Sequence, residues 1–274
     1  MLKSYLLIAL RNLRKHKFYA FLNIAGLALG VTCCLLITLY VLDELSYDRF
    51  HAKADRIYRI NVDVKFGGQE QQLANATDPL GFTLVKDYPQ VEQAVRFRGQ
   101  GGFLVKKGDQ NIKEERVIFV DSTLFDVFTL PVIAGNPGNA LGQPNSVVIT
   151  ETTARKYFGT ANALGKVLRF NNHDDYQVTA VIRDIPANSH FRFDFFLSMQ
   201  NLAESRQQNW VSHNFNTYVV LRKDADPRQL EAKFPEVIRK YVGPAVKQLM
   251  NINSIDEFEK TGNFLRYSLL PLTD

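Results

Sequence analysis

A chain of 274 residues with 46% apolar and 12% aromatic side chains carries enough apolar mass for a folded core, and with only two cysteines it is excluded from the disordered, collagen-like and disulfide-scaffold classes. Lys and Arg outnumber Asp and Glu by 33 to 28, but the excess is confined to residues 1–17, where Lys3, Arg11, Arg14, Lys15 and Lys17 stand without an acid. The remainder is balanced at 28 of each sign, so a basic pI near 9.1 belongs to a short arm, and nucleic acid is excluded as a partner of the body.

In the arm, Leu2, Leu6, Leu10 and Leu13 recur at helical spacing with most of the basic residues off that stripe, which predicts an amphipathic helix lying on membrane lipid. A plain topogenic charge cluster accounts for the charges but not for the leucines. Residues 18–42 follow without a charge or a proline. At 1.5 Å per residue they reach roughly 37 Å, more than the ~30 Å hydrocarbon core, and predict one transmembrane helix. A cleaved signal peptide would have a shorter apolar run and a small-residue cleavage site, neither of which is present. Basic residues before the span and Asp43, Glu44 and Asp48 after it place the N-terminus in the cytoplasm and residues 43–274 outside. Within the span, Gly26 and Gly30 form a GxxxG face for helix packing, Asn23, Thr32 and Thr38 favour a neighbouring helix over lipid, and Cys33 and Cys34 read as inert packing residues.

Beyond the span, alternation predicts strands at 56–64, 94–98, 117–120, 146–150, 166–170, 176–182, 193–197, 218–221 and 264–269. Helices are predicted at 78–88, at 150–158 between a Thr150 cap and Gly159, and at 227–241 between Asp226 and Gly243. The class is α+β with mixed sheets, and the turn-rich stretch 135–145 is the best internal boundary.

Sites of chemistry are not found. Gly159 to Lys166 superficially resembles a phosphate loop, but the glycine spacing is wrong, Val167 stands where a hydroxyl is needed, and the segment runs from helix to strand. The histidines at 16, 51, 173, 190 and 213 form no metal motif. Ser189, His190 and Asp194 have the residue types of a hydrolase triad without its nucleophile elbow and read as a structural group. The expectation is no catalytic residue, no metal and no cofactor.

Ala9 to Leu13 with Lys17 and the glycine-containing span resembles the start of MacB/FtsX-type ABC transporter permeases. Asp43 to His51 followed by Asp55 to Arg59 resembles the Bacteroidetes version. Asn145 to Gly159, Ala163 to Lys166 and Val178 to His190 resemble the family's periplasmic core domain. The resemblance implies an N-terminal interfacial helix, one transmembrane helix and a two-subdomain periplasmic domain, subdomain one from about 50–120 plus 215–274 and subdomain two inserted at about 121–214. It also implies that further membrane helices follow this chain, that a separate ABC ATPase subunit drives it, and that a second permease copy or half and periplasmic or outer-membrane export partners complete an inner-membrane machine. Its function would be efflux, or lipoprotein or peptide export, by a non-catalytic permease subunit. Asp43, Glu44, Leu45, Tyr47 and Phe50 are then the link between membrane and domain, expected as a continued helix with Leu45 and Phe50 facing the domain. The bland alternative is a solvated acidic rim. The rival function is a single-pass anchored periplasmic sensor or adhesion module.

Overall fold

The computed structural model describes residues 2–250 and 255–274; of Leu2, Lys3, Leu6, Ala9, Leu10 and Met250 only the backbone is described. It divides into two compact units after Tyr47.

The first unit holds α1 (Leu2–Lys15) and α2 (Lys17–Glu44), separated by His16, whose backbone (φ −118, ψ 53) is not helical. Of the leucine stripe, the side chains of Leu2, Leu6 and Leu10 lie outside the described residues, and Leu13 is exposed. α2 has no buried residue, and its most apolar 18-residue window has a mean hydropathy of 2.3, long and apolar enough to cross a membrane. The hydroxyls of Thr32 and Thr38 each donate at 2.8 Å to the carbonyl four residues back, Ala28 and Cys34. Their polarity is therefore met inside the helix and does not by itself call for a partner.

The second unit begins with a strap, residues 48–56, that closes in a 3₁₀ turn at Ala54–Arg56. There follow β1 (Ile57–Phe66), β2 (Gln69–Leu73), β3 (Ala76–Thr77), α3 (Leu80–Asp87), β4 (Val91–Arg98), β5 (Phe103–Lys107), β6 (Gln110–Glu114), β7 (Val117–Val120), α4 (Leu124–Val127) and β8 (Val132–Gly135). Then come β9 (Ser146–Thr150), α5 (Glu151–Phe158), β10 (Val167–Phe170), β11 (Asp174–Ile182), β12 (Phe195–Ser198), β13 (His213–Leu221), α6 (Pro227–Glu231), α7 (Phe234–Val237), α8 (Gly243–Met250), α9 (Ile255–Lys260) and β14 (Phe264–Pro271). The strands form one mixed sheet in the order β14-β1-β13-β4-β7-β12-β9-β11-β10-β5-β6, with β2, β3 and β8 attached beside it. β9 runs parallel to β11 and β7 to β12; the remaining neighbours are antiparallel. The central strands are buried on both faces. Val148, Ala180 and Phe196 enter one apolar cluster, while Val147, Val178 and Phe195 enter another.

The α5 signals act as read: Thr150 accepts from the Thr153 N–H at 3.3 Å, and Gly159 closes the helix at φ +69. The helix expected over 227–241 is broken. Asp226 caps its start, but Pro235 has no N–H to extend α6, a π turn fills Ile238–Val242, and Gly243 (φ −51) is right-handed and starts α8. The β5–β6 hairpin escaped the sequence reading because its second strand, QNIKE, is largely exposed and polar.

Gly135, at the end of β8, shows how tightly β8 is set. Its φ is +97, and an added Cβ would lie 2.4 Å from the Thr179 carbonyl oxygen and 2.8 Å from Ala180 Cα in β11. Gly135→Ala is expected to lose more than the roughly 1–2 kcal/mol of a left-handed backbone alone, read as a lower urea midpoint at unchanged m-value.

Candidate functional site in the strap

Helix α2 does not run on to Phe50 as expected. After Glu44 the hydrogen bonds tighten from Leu45 N–H on Val41 to Ser46 N–H on Asp43 and Tyr47 N–H on Glu44, a single 3₁₀-type turn. Asp48 then takes φ +55, which no helix accommodates. Of the residues expected to form the link, Asp43 and Glu44 end α2, Leu45 is exposed, Tyr47 closes the first unit, and Phe50 lies in the second, its ring 4.1 Å from that of His51.

The residues that hold the strap are others. Asp48 is 1% exposed, and its own N–H donates to the Asn188 carbonyl at 2.9 Å. Its carboxylate accepts from Ser189 Oγ at 3.1 Å, from the His190 N–H at 3.2 Å and from His190 Nδ1 at 2.9 Å. An ionised carboxylate can only accept, so Nδ1 of His190 carries a proton, and Nε2 lies 2.8 Å from the Tyr218 hydroxyl. Burial alone would raise the Asp48 carboxyl, but the bonds and charge of His190, with Ser189, outweigh it and hold it below the ordinary range. Burial pushes the Tyr218 hydroxyl up to about 12, so it remains a proton donor.

His51 is the second anchor. Its Nδ1 accepts from the Thr129 N–H at 3.1 Å, while the Ala52 N–H donates to Thr129 Oγ1 at 2.8 Å. Its ring sits among Phe50, Phe128 and Phe191, with centroids at 4.1, 5.0 and 6.2 Å. Nε2 makes no hydrogen bond; Asp48 Oδ1 is 3.8 Å away. Burial in this aromatic nest lowers His51 to about 4 and keeps it neutral. Further along, Lys53 reaches Glu92 and the Asp126 carbonyl, both at 2.7 Å, and Arg56 reaches Glu92 at 2.8 Å and the Leu221 carbonyl at 2.6 Å.

The carboxylate of His190 is thus Asp48, 142 residues away, and not Asp194, whose carboxylate faces Arg116 at 3.9 Å. Ser189 donates to Asp48 and not to an imidazole, so nothing activates it as a nucleophile. The arrangement can hold a chain in place. Among the described residues no group of three or more His, Cys, Asp or Glu side chains is placed to hold a metal ion.

Gly26 and Gly30 lie four residues apart on α2, and a Cβ at either would meet nothing within 4 Å.

No curated protein matches the sequence. Among solved structures, the chain is similar to a domain assigned to a permease protein from Porphyromonas gingivalis, with a TM-score of 0.68 and 23% identity over 81% of this chain and 92% of that one. It is also similar to the periplasmic region of MacB from Actinobacillus actinomycetemcomitans (TM-score 0.49, 16% identity, 76% of this chain and 92% of that one). A third similarity is to the extracellular domain of the noncanonic ABC-type transporter YknZ from Gram-positive bacteria (TM-score 0.47, 13% identity, 78% and 99%). The model of the MacB-like periplasmic core domain matches residues 20–237, from within α2 to the end of α7, and the chain belongs to that family.

Proposed function

We propose that this chain is a permease subunit of an ABC transporter of the MacB/FtsX type, in which a separate ATPase subunit hydrolyses ATP in the cytoplasm and the periplasmic domain moves in response. The observation that carries this reading is the continuity of the family match, which includes most of the membrane-length helix as well as the domain. The strap supports it: a domain that follows a membrane helix needs its first residues fixed, and Asp48 and His51 are fixed by buried polar contacts. The work done would be efflux, or export of a lipoprotein or peptide already outside the cytoplasm. The N-terminus is cytoplasmic, the chain sits in the inner membrane with α1 on lipid, and Asp43 to Phe50 link the two units. Within the domain we propose the discontinuous division into about 50–120 with 215–274 and an inserted 121–214. The strand order supports its discontinuity, since β1, β13 and β14 are neighbours although far apart in sequence.

Packing of α2 through Gly26 and Gly30 against another membrane helix is part of the same proposal. Full-length tagged protein purified in mild detergent from native membranes is expected to bring down a Walker-motif ATPase and a second permease copy or half. Gly26→Leu and Gly30→Leu should each reduce that recovery by about tenfold, because the added side chains hold the helices apart. Wild-type protein that purifies alone would instead favour an anchored sensor or adhesion module.

A further inference from the structure

His51 sits in the strap in a way that only its neutral form satisfies. Thr129 donates its N–H to Nδ1, so Nδ1 must present a lone pair. A second proton can enter the ring only there, where it would set one N–H against another. Among the described residues, the titratable or charged groups that face the ring are Asp48 on the strap itself, His190 from the loop between β11 and β12, and behind His190 the hydroxyl of Tyr218 from β13, itself beside Arg59 of β1. The other neighbours, Phe50, Phe128 and Phe191, are apolar. Of the two histidines, His51 is the one whose hydrogen bond from a backbone N–H opposes a second ring proton.

We propose that the strap is an acid-released latch, in which protonation of His51 at Nδ1 expels the Thr129 N–H and frees residues 48–53 from the domain. This goes beyond the transporter reading and does not depend on it, since the latch would open whatever the domain is attached to.

The direction follows from linkage. In the closed latch His51 titrates at about 4, against 6.5 for a solvated histidine, so closure is fully favoured above pH 6.5 and weakens as the pH falls towards 4. Asp48, held below its ordinary value, acts in the same sense at still lower pH. Between pH 7 and pH 5 the opening equilibrium should rise on the order of twentyfold.

Hydrogen exchange of the full chain in lipid nanodiscs, corrected for the intrinsic pH dependence of exchange, tests this. The Asp48 and Ala52 amides should exchange about twentyfold faster at pH 5 than at pH 7, while those of β9 stay protected. His51→Asn keeps an acceptor for the Thr129 N–H but cannot titrate, and its strap should show no such rise. Strap amides that stay equally protected in wild type, or that rise equally in His51→Asn, would overturn the proposal. Should the variant not fold, the His51 ring signal of the wild type decides. Titration in step with strap exchange supports the latch, and titration near 6.5 with the strap still protected overturns it.

Discussion

Arg96→Met is expected to lower the stability of the domain by about 3–5 kcal/mol, a fall in melting temperature of roughly 10 °C. Arg96 is 6% exposed, and its Nε and Nη2 each lie 2.9 Å from the carboxylate of Asp121, which also accepts the Arg96 N–H at 2.8 Å. Nη1 donates to the carbonyls of Asp78 at 2.7 Å and Ser205 at 3.0 Å, and the guanidinium lies over the rings of Phe82 and Phe215 at 4.8 and 5.2 Å. Methionine would keep much of the packing and leave Asp121 as a buried charge without its counter-ion. Truncating one partner of such a pair is far worse than replacing both, so Arg96→Met with Asp121→Leu should be the more stable of the two variants. Recovery stops short of wild type because the Asp78 and Ser205 carbonyls lose their donor as well. Thermal melts of the full chain in detergent measure both, and a loss under 1 kcal/mol for the single variant would show that water compensates Asp121.

Variants at Asp48 should separate what its side chain does from what its backbone demands. Asp48→Ala removes the acceptor of Ser189 Oγ and of both His190 donors and forces alanine to φ +55, a combined loss of about 3 kcal/mol. Asp48→Gly loses the same bonds and accepts the backbone, so it should recover roughly 1 kcal/mol of that. Asp48→Asn tolerates the left-handed conformation and keeps one acceptor oxygen, and it should be the mildest. Urea denaturation ranks the three, and trypsin cleavage after Arg49 and Lys53 should follow the same rank. A ranking with glycine mildest would mean that strain, and not hydrogen bonding, dominates at this position.

The sequence carries those parts of the fold whose causes are local. Thr150 and Gly159 bound α5 because a cap and a left-handed closure need only neighbouring atoms, and the short apolar runs of β7 and β9 mark strands whose two faces are both buried whichever strand pairs with them. The helix expected over 227–241 contains Pro235, which lacks the N–H that a continuous helix needs at that position. The strap was harder to read. Asp48, His51, Ser189 and His190 all stand in stretches that resemble the permease family, yet no spacing rule joins a carboxylate to an imidazole 142 residues on, and Tyr218 reads simply as a strand aromatic. The only local cue was an aspartate in a run that should have stayed helical, since Asp is among the few residues that enter the left-handed region readily.

In the sheet, β4 meets β7 through two residue pairs, Phe97 with Val120 and Arg98 with Phe119. Besides the strap, the chain crosses that seam through the glycine-rich residues 99–102 and through 199–212. Such a short join is a crease in the sheet, and among the neighbours in the strand order only β10 and β5, with one pair, share fewer. The strap spans it as a diagonal brace, bound to the Asn188–His190 loop on the β12 side and through Arg56 to Glu92 and the Leu221 carbonyl on the β4 side. Tension along the strap would load both sides together and stiffen the crease. With the brace detached, the join would still be held by those two pairs, by the Arg96–Asp121 bonds, by the Thr123 hydroxyl on the Ala94 carbonyl at 2.6 Å and by the rings of Phe128, Phe191 and Phe193 against Phe97.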